Sequence, residues 1–208
     1  ASVKQSYAEL IAVVEEENIN VNIYPGTEAF ICPELPQLIS SGEICTLNNS
    51  AYVLVELPMM NVPIYTDDVI FNMKLSGYTP IIAHPERCRQ IADNPNILYD
   101  YINRGALVQV NATSIKGTYG KRVRDTALTL IRHNMVHFVA SDAHTCRGRS
   151  PKMRKAYEIV RNEIGDAAAE KLFKTNAMKV LRDEEFSVPK PEKVRSWMKM
   201  VLSLFTAN

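Results

Sequence analysis

The chain has 208 residues, 46% of them hydrophobic and 23% charged, with a formal net charge of +1. This composition belongs to a folded globular protein, and the charge balance excludes a general electrostatic attraction to nucleic acid. No apolar run approaches the roughly 18 residues of a membrane span, and Ala1-Ser-Val-Lys-Gln5 lacks the basic start and apolar stretch of a signal peptide. With no initiator Met, the start reads as that of a processed or trimmed chain.

Residues 2–18 predict a helix with Ala8, Leu10, Ile11, Val13 and Val14 on its apolar face. Asn20-Val-Asn-Ile-Tyr-Pro-Gly26 predicts a short strand ending in a turn, and residues 33–41 a short helix. Ala51-Tyr-Val-Leu-Val-Glu-Leu57 is an apolar, β-branched strand, followed by a helix over 67–76 that Gly77 stops. The alternation continues. Strands are expected at 80–84, 106–111 and 136–142, and helices at 96–104, 121–134, 151–164 and 167–181. Short apolar strands alternating with helices indicate an α/β protein with a largely parallel sheet. No G-x-G-x-x-G or G-x-x-x-x-G-K-[ST] loop follows any strand, which argues against nucleotide-binding folds.

One polar residue stands near the end of each predicted strand: Glu28, Glu56, His84, Asn111 and Asp142. They recur at intervals of 28, 28, 27 and 31 residues, near the about 31 residues of one βα unit in an eight-stranded barrel. Residues spaced by one unit fall at one end of a parallel sheet, the carboxyl end, where barrel active sites are built. Two glutamates, an aspartate and a histidine meeting there form a metal-type ligand set, with His144 two residues beyond Asp142. Arg87 in His84-Pro-Glu-Arg87 and Arg149 in Ser141-Asp-Ala-His-Thr-Cys-Arg-Gly-Arg149 each flank such a residue. A guanidinium fork suits phosphate oxygens, so cations and two arginines together suggest a phosphoester; plain ion-pairing with nearby carboxylates is the alternative.

Other motifs carry less. His133-Asn-Met-Val-His137 lacks the Glu of a zinc protease. The residue six after Cys146 is Lys152, where a thiol phosphatase's C-x-x-x-x-x-R needs Arg. Cys32, Cys45 and Cys88 fail the same test, and with no C-x-x-C pair the four cysteines read as thiols of a reducing cytoplasm.

Gly26-Thr-Glu28, Val55-Glu56, Ile82-Ala-His84-Pro-Glu-Arg87, Gln109-Val-Asn111 and Ala140-Ser-Asp142-Ala-His144 resemble the manganese-dependent protein-tyrosine phosphatases of bacterial capsule and exopolysaccharide operons, members of the polymerase and histidinol phosphatase (PHP) superfamily. The resemblance runs to about residue 182. It implies a distorted (β/α)7 barrel holding up to three Mn2+ ions. By that resemblance Glu28, Glu56, His84, Asp142 and His144 are metal ligands, and Arg87 and Arg149 hold the substrate phosphate. Asn111 receives no ligand role from it. The family also opens on an H-x-H strand and carries a further ligand histidine after its second strand, whereas no histidine here precedes His84. With five visible strands, the expectation is a barrel lacking its first one or two βα units and an incomplete metal set. The expected substrate is a phosphotyrosine on a bacterial tyrosine kinase controlling polysaccharide synthesis, in the cytoplasm. The alternatives are a small-molecule PHP phosphatase of the histidinol-phosphate type, a nuclease, and a metal-poor binding module.

The expected domain spans residues 1–186. Residues 187–208 form a linker and an amphipathic helix from about 192 to 205, its apolar face Val194, Trp197, Met198, Val201, Leu202 and Phe205. With Lys193, Arg195 and Lys199 beside it, the helix suits the inner membrane surface, a kinase, the protein's own barrel or a second subunit.

Overall fold

Five short strands pair in sequence order, all parallel. The computed structural model describes residues 3–185 and 187–195. The chain opens with α1 (Val3–Glu16), then β1 (Glu28–Phe30), α2 (Leu35–Ser40), β2 (Tyr52–Glu56), α3 (Thr66–Leu75) and β3 (Thr79–Ala83). A 3-10 turn, Pro85–Arg87, leads into α4 (Arg89–Asp93) and α5 (Asn96–Asn103). Next come β4 (Leu107–Asn111), α6 (Ala112–Ile115), α7 (Lys121–Arg132) and β5 (Phe138–Ala140). The chain continues through α8 (Arg154–Ile164), α9 (Asp166–Glu170), a π turn at Lys171–Thr175 and α10 (Asn176–Leu181). A parallel sheet whose spatial order equals its sequence order steps one way at every crossover, which is the arc of a βα barrel rather than a doubly wound sheet.

Strand alternation divides the core. Val53, Val55, Ile82, Val108, Val110 and Val139 are buried against residues of the helices, among them Met73, Leu98 and Ile131. Burying each such side chain stabilises the fold by about 1.5–3 kcal/mol. Tyr52, Ile81, Leu107 and Phe138 form a second cluster with Val180 of α10. A cavity of about 410 Å³ on that side is lined by Leu54, Ile81, Phe138, Leu172 and Val180 and reaches Glu28.

The expected strand at 20–24 is irregular chain, and β1 begins only at Glu28. The Val/Ile alternation there has no neighbouring strand among the described residues; Ile23 instead accepts the Tyr7 hydroxyl of α1. Glu28 therefore opens its strand rather than ending it. The helix expected at 167–181 runs without interruption from Asp166 to Leu181, with a π-helical stretch at Lys171–Thr175 inside it. The terminal helix does not begin at Glu192. Residues 192–195 are irregular chain, tied to the body by Val194 N donating to Asn96 Oδ1 (2.9 Å) and Asn96 Nδ2 donating to Val194 O (3.1 Å). Pro189 and Pro191 disfavour a helix just upstream. Trp197, Met198, Val201, Leu202 and Phe205 lie outside the described residues.

Candidate active site

Register brings the polar strand ends together. Phe30 is level with Glu56, and Glu56 with Ala83, so His84 lies one residue beyond Glu56 on the neighbouring strand. Glu28 sits two residues lower, level with Leu54, and its side chain reaches upward. His84 Nε2 lies 2.8 Å from Glu28 Oε1 and 3.6 Å from Glu56 Oε1. The ligand atoms of the three residues all fall within 4.8 Å of one another. His84 is buried, while the two glutamate side chains are about one third exposed.

Two carboxylates against one imidazole leave excess negative charge that a divalent cation offsets, and the mixed oxygen and nitrogen donors suit a first-row metal ion. The residues present therefore fit such an ion. Burial pulls the His84 imidazolium toward deprotonation, but the hydrogen bond and charge of Glu28 outweigh it, and its pKa is raised overall.

The second cluster centres on Asp142, whose side chain is 9% exposed. Its Oδ2 accepts from Arg149 Nη2 and, at 2.7 Å, from Asn111 Nδ2. Arg87 Nη1 stands 3.9 Å from the same oxygen. His144 Nδ1 is 3.1 Å from the Asp142 carbonyl, so a ligand role would fall to Nε2. Asp142 and His144 are outside the three-residue group. One 3-10 turn joins the two clusters, since Arg87 N donates to His84 O (3.0 Å). His84 and Asp142 both adopt left-handed backbone, φ 33° and 49°, at about 1–2 kcal/mol each for a side-chain-bearing residue. Such strain gathers at functional sites.

Three residues were not singled out from sequence. Glu86, between His84 and Arg87, is fully buried; burial pushes its carboxyl pKa up, partly countered by donors including Asn111 N. Tyr119 lies beneath the Arg87 guanidinium, 4.9 Å from ring centroid to Cζ, and leaves its edge free for in-plane bonds. Phe30, exposed, ends β1 beside Glu56. Only Glu86 carried a signal, its place between His84 and Arg87 in the His-Pro-Glu-Arg segment. Arg149 Nε is buried with no partner among the described residues, a donor suited to a phosphate oxygen. The other histidines and Cys146 sit elsewhere. His137 is buried in the core, His133 bonds Thr129 O at the end of α7, and Cys146 is an exposed free thiol.

The model of the capsular polysaccharide synthesis family CpsB/CapC matches residues 1–182. The tyrosine-protein phosphatase YwqE of Bacillus subtilis (strain 168) is 33% identical over 195 residues, covering 94% of this chain and 76% of its own. The tyrosine-protein phosphatase CpsB of Streptococcus agalactiae serotype III (strain NEM316) is 29% identical over 169 residues, covering 79% of this chain and 70% of its own. A structure from crystallographic work on YwqE of B. subtilis and CpsB of Streptococcus pneumoniae, described as metal-dependent tyrosine phosphatases, superposes with a TM-score of 0.90 at 33% identity. That match covers 93% of this chain and 78% of the other.

Proposed function

This chain belongs to the CpsB/CapC family of capsular polysaccharide synthesis, with the sheet of a PHP-type fold, and on that premise we propose that it serves the metal-dependent hydrolysis of phosphotyrosine. The observation that carries the reading is the meeting of Glu28, Glu56 and His84 within 4.8 Å, one 3-10 turn away from Arg87 and the Asp142–Arg149 pair.

Glu28, Glu56 and His84 would hold a cation, with Asp142 and His144 as further ligands. A divalent cation held there would supply Lewis acidity, lowering the pKa of water and screening charge on phosphoryl oxygens. Arg87 and Arg149 take the phosphate oxygens with their planar forks and stabilise the charge of the transferring group. Asp142 orients the Arg149 fork by a hydrogen bond and attracts the Arg87 guanidinium at 3.9 Å. The leaving phenolate has a pKa near 10, so departure needs little help from a general acid. The exposed Cys146 has no part in this chemistry.

The finer assignments follow the same reading. The cation is Mn2+, and the substrate is a phosphotyrosine on a bacterial tyrosine kinase of polysaccharide synthesis. The setting is the cytoplasm, with docking at a membrane, kinase or second subunit through residues 192–205. Among the described residues no helix is long and apolar enough to cross a membrane. Background binding to anionic liposomes with and without residues 188–208 would remove the membrane part. Phosphate release from a phosphotyrosyl peptide, with Mn2+ and with a chelator, tests the activity. Release only with Mn2+ is expected; release unaffected by the chelator overturns the reading.

A further inference from the structure

Asn111 shares the strand-end recurrence with the candidate ligands, yet neither the cation nor the phosphate reading uses it. It is the last residue of β4 and is 0% exposed. Its backbone N donates to Glu86 Oε1 at 3.1 Å, and its Nδ2 donates to Asp142 Oδ2 at 2.7 Å. Glu86 is also 0% exposed. A chain of buried contacts thus runs from the turn between His84 and Arg87, through the end of β4, to Asp142.

Asp142 needs such a support. It lies two residues past the end of β5, outside the strand ladder, in left-handed backbone. A strained residue keeps its conformation only when its surroundings over-determine it. The arginines cannot supply this alone, because on the proposed reading they also hold phosphate. Asn111 is free of that duty. An asparagine amide donates only through Nδ2, so its bond to Oδ2 restricts rotation of the Asp142 carboxylate and leaves Oδ1 for another partner.

We propose that Asn111, braced by Glu86, is a positioning residue that sets the orientation of Asp142, and through it the affinity of the site for a divalent cation. The cation part rests on the reading of Asp142 as a ligand; the orientation part does not. Partners of this kind behind a ligand typically change metal affinity by about tenfold to a hundredfold.

The test uses the whole chain and the variants Asn111→Ala, Glu86→Ala and Glu86→Gln, with two readouts. The first needs no cation: limited tryptic cleavage after Arg147 and Arg149, which follow Asp142 in the same loop. Cleavage there is expected to be about tenfold faster in Asn111→Ala and Glu86→Ala, and near the wild-type rate in Glu86→Gln, which keeps the acceptor oxygen. The second is Mn2+ affinity by calorimetry, expected to weaken about tenfold or more in the two alanine variants. If wild type binds Mn2+ and either readout is unchanged in Asn111→Ala, the proposal is overturned. Cleavage accelerated equally along the whole chain reports loss of folding and also overturns it. Faster local cleavage with no Mn2+ binding by wild type removes the metal reading and leaves Asn111 as the residue that orients Asp142.

Discussion

His84 Nε2 and Glu28 Oε1 lie 2.8 Å apart although 56 residues separate them in sequence. Burial works against a charged His84, but Glu28 prevails and the pKa is raised. Without a cation, the pair's contribution to stability is therefore complete below the ordinary histidine pKa of about 6.5 and is lost as pH rises through the raised value. A cation requires the neutral ring, so proton and cation compete. Mn2+ affinity is expected to rise between about pH 6 and 8 in the wild type; calorimetry at several pH values checks this, and a flat profile contradicts it.

Arg87 and Arg149 converge on one oxygen of Asp142 from different loops. In an active preparation, Arg87→Ala or Arg149→Ala is expected to lower turnover of an aryl phosphate by about 10²–10³-fold. Cys146→Ser should stay near wild type, since the thiol is exposed and lacks the motif's arginine. Steady-state kinetics decides. Loss of turnover in Cys146→Ser with cation still bound would point to a thiol mechanism instead.

Tyr119 covers one face of the Arg87 guanidinium. A cation–π contact of this kind is worth about 1 kcal/mol, or roughly fivefold in affinity. Tyr119→Leu should raise KM for an aryl phosphate by about that factor with kcat little changed, while Tyr119→Phe, which keeps the ring, should match the wild type. A fall in kcat alone would show that the ring acts elsewhere.

His137 sets a pH dependence of opposite sign to His84. Burial lowers its pKa to about 4, and its Nδ1 accepts from Val108 N at 3.0 Å. The folded state holds it neutral, while the unfolded chain protonates it near 6.5. Stability from this residue is present above about pH 6.5 and is lost as pH falls toward 4, by about 3 kcal/mol in all. Urea unfolding across that range should show the slope in wild type and a weaker one in His137→Gln. An unchanged slope in the variant assigns it to other groups.

Much of this was written in the sequence for identifiable reasons. β2, β3 and β4 are short β-branched runs because they are covered by packed side chains on both sides, and Gly77 and Gly105 end helices with φ of +84° and +93°. The 28-residue recurrence holds for Glu56 and His84 because a βα unit returns the chain to the same end of the sheet, whereas Glu28 opens β1 and joins them only through the reach of its side chain. Val21 and Ile23 alternate like a strand but have no ladder to join among the described residues, so the pattern predicts β1 too early. The roles of Asn111 and Tyr119 were not legible, since contacts with Asp142 and Arg87 depend on loop geometry that local pattern does not encode. The 3-10 turn at Pro85–Arg87 and the short α4 and α6 leave too few residues for a helical period to register.

On the proposed function, Glu28, Glu56 and His84 hold a divalent cation. Calorimetric titration of Mn2+ into the wild type and into a variant combining Glu28→Ala, Glu56→Ala and His84→Ala tests it directly, with circular dichroism confirming that the variant is folded. Saturable binding by wild type that weakens at least a hundredfold in the folded variant is the predicted result. Equal binding by both, or none by the wild type, would show that these three residues hold no cation.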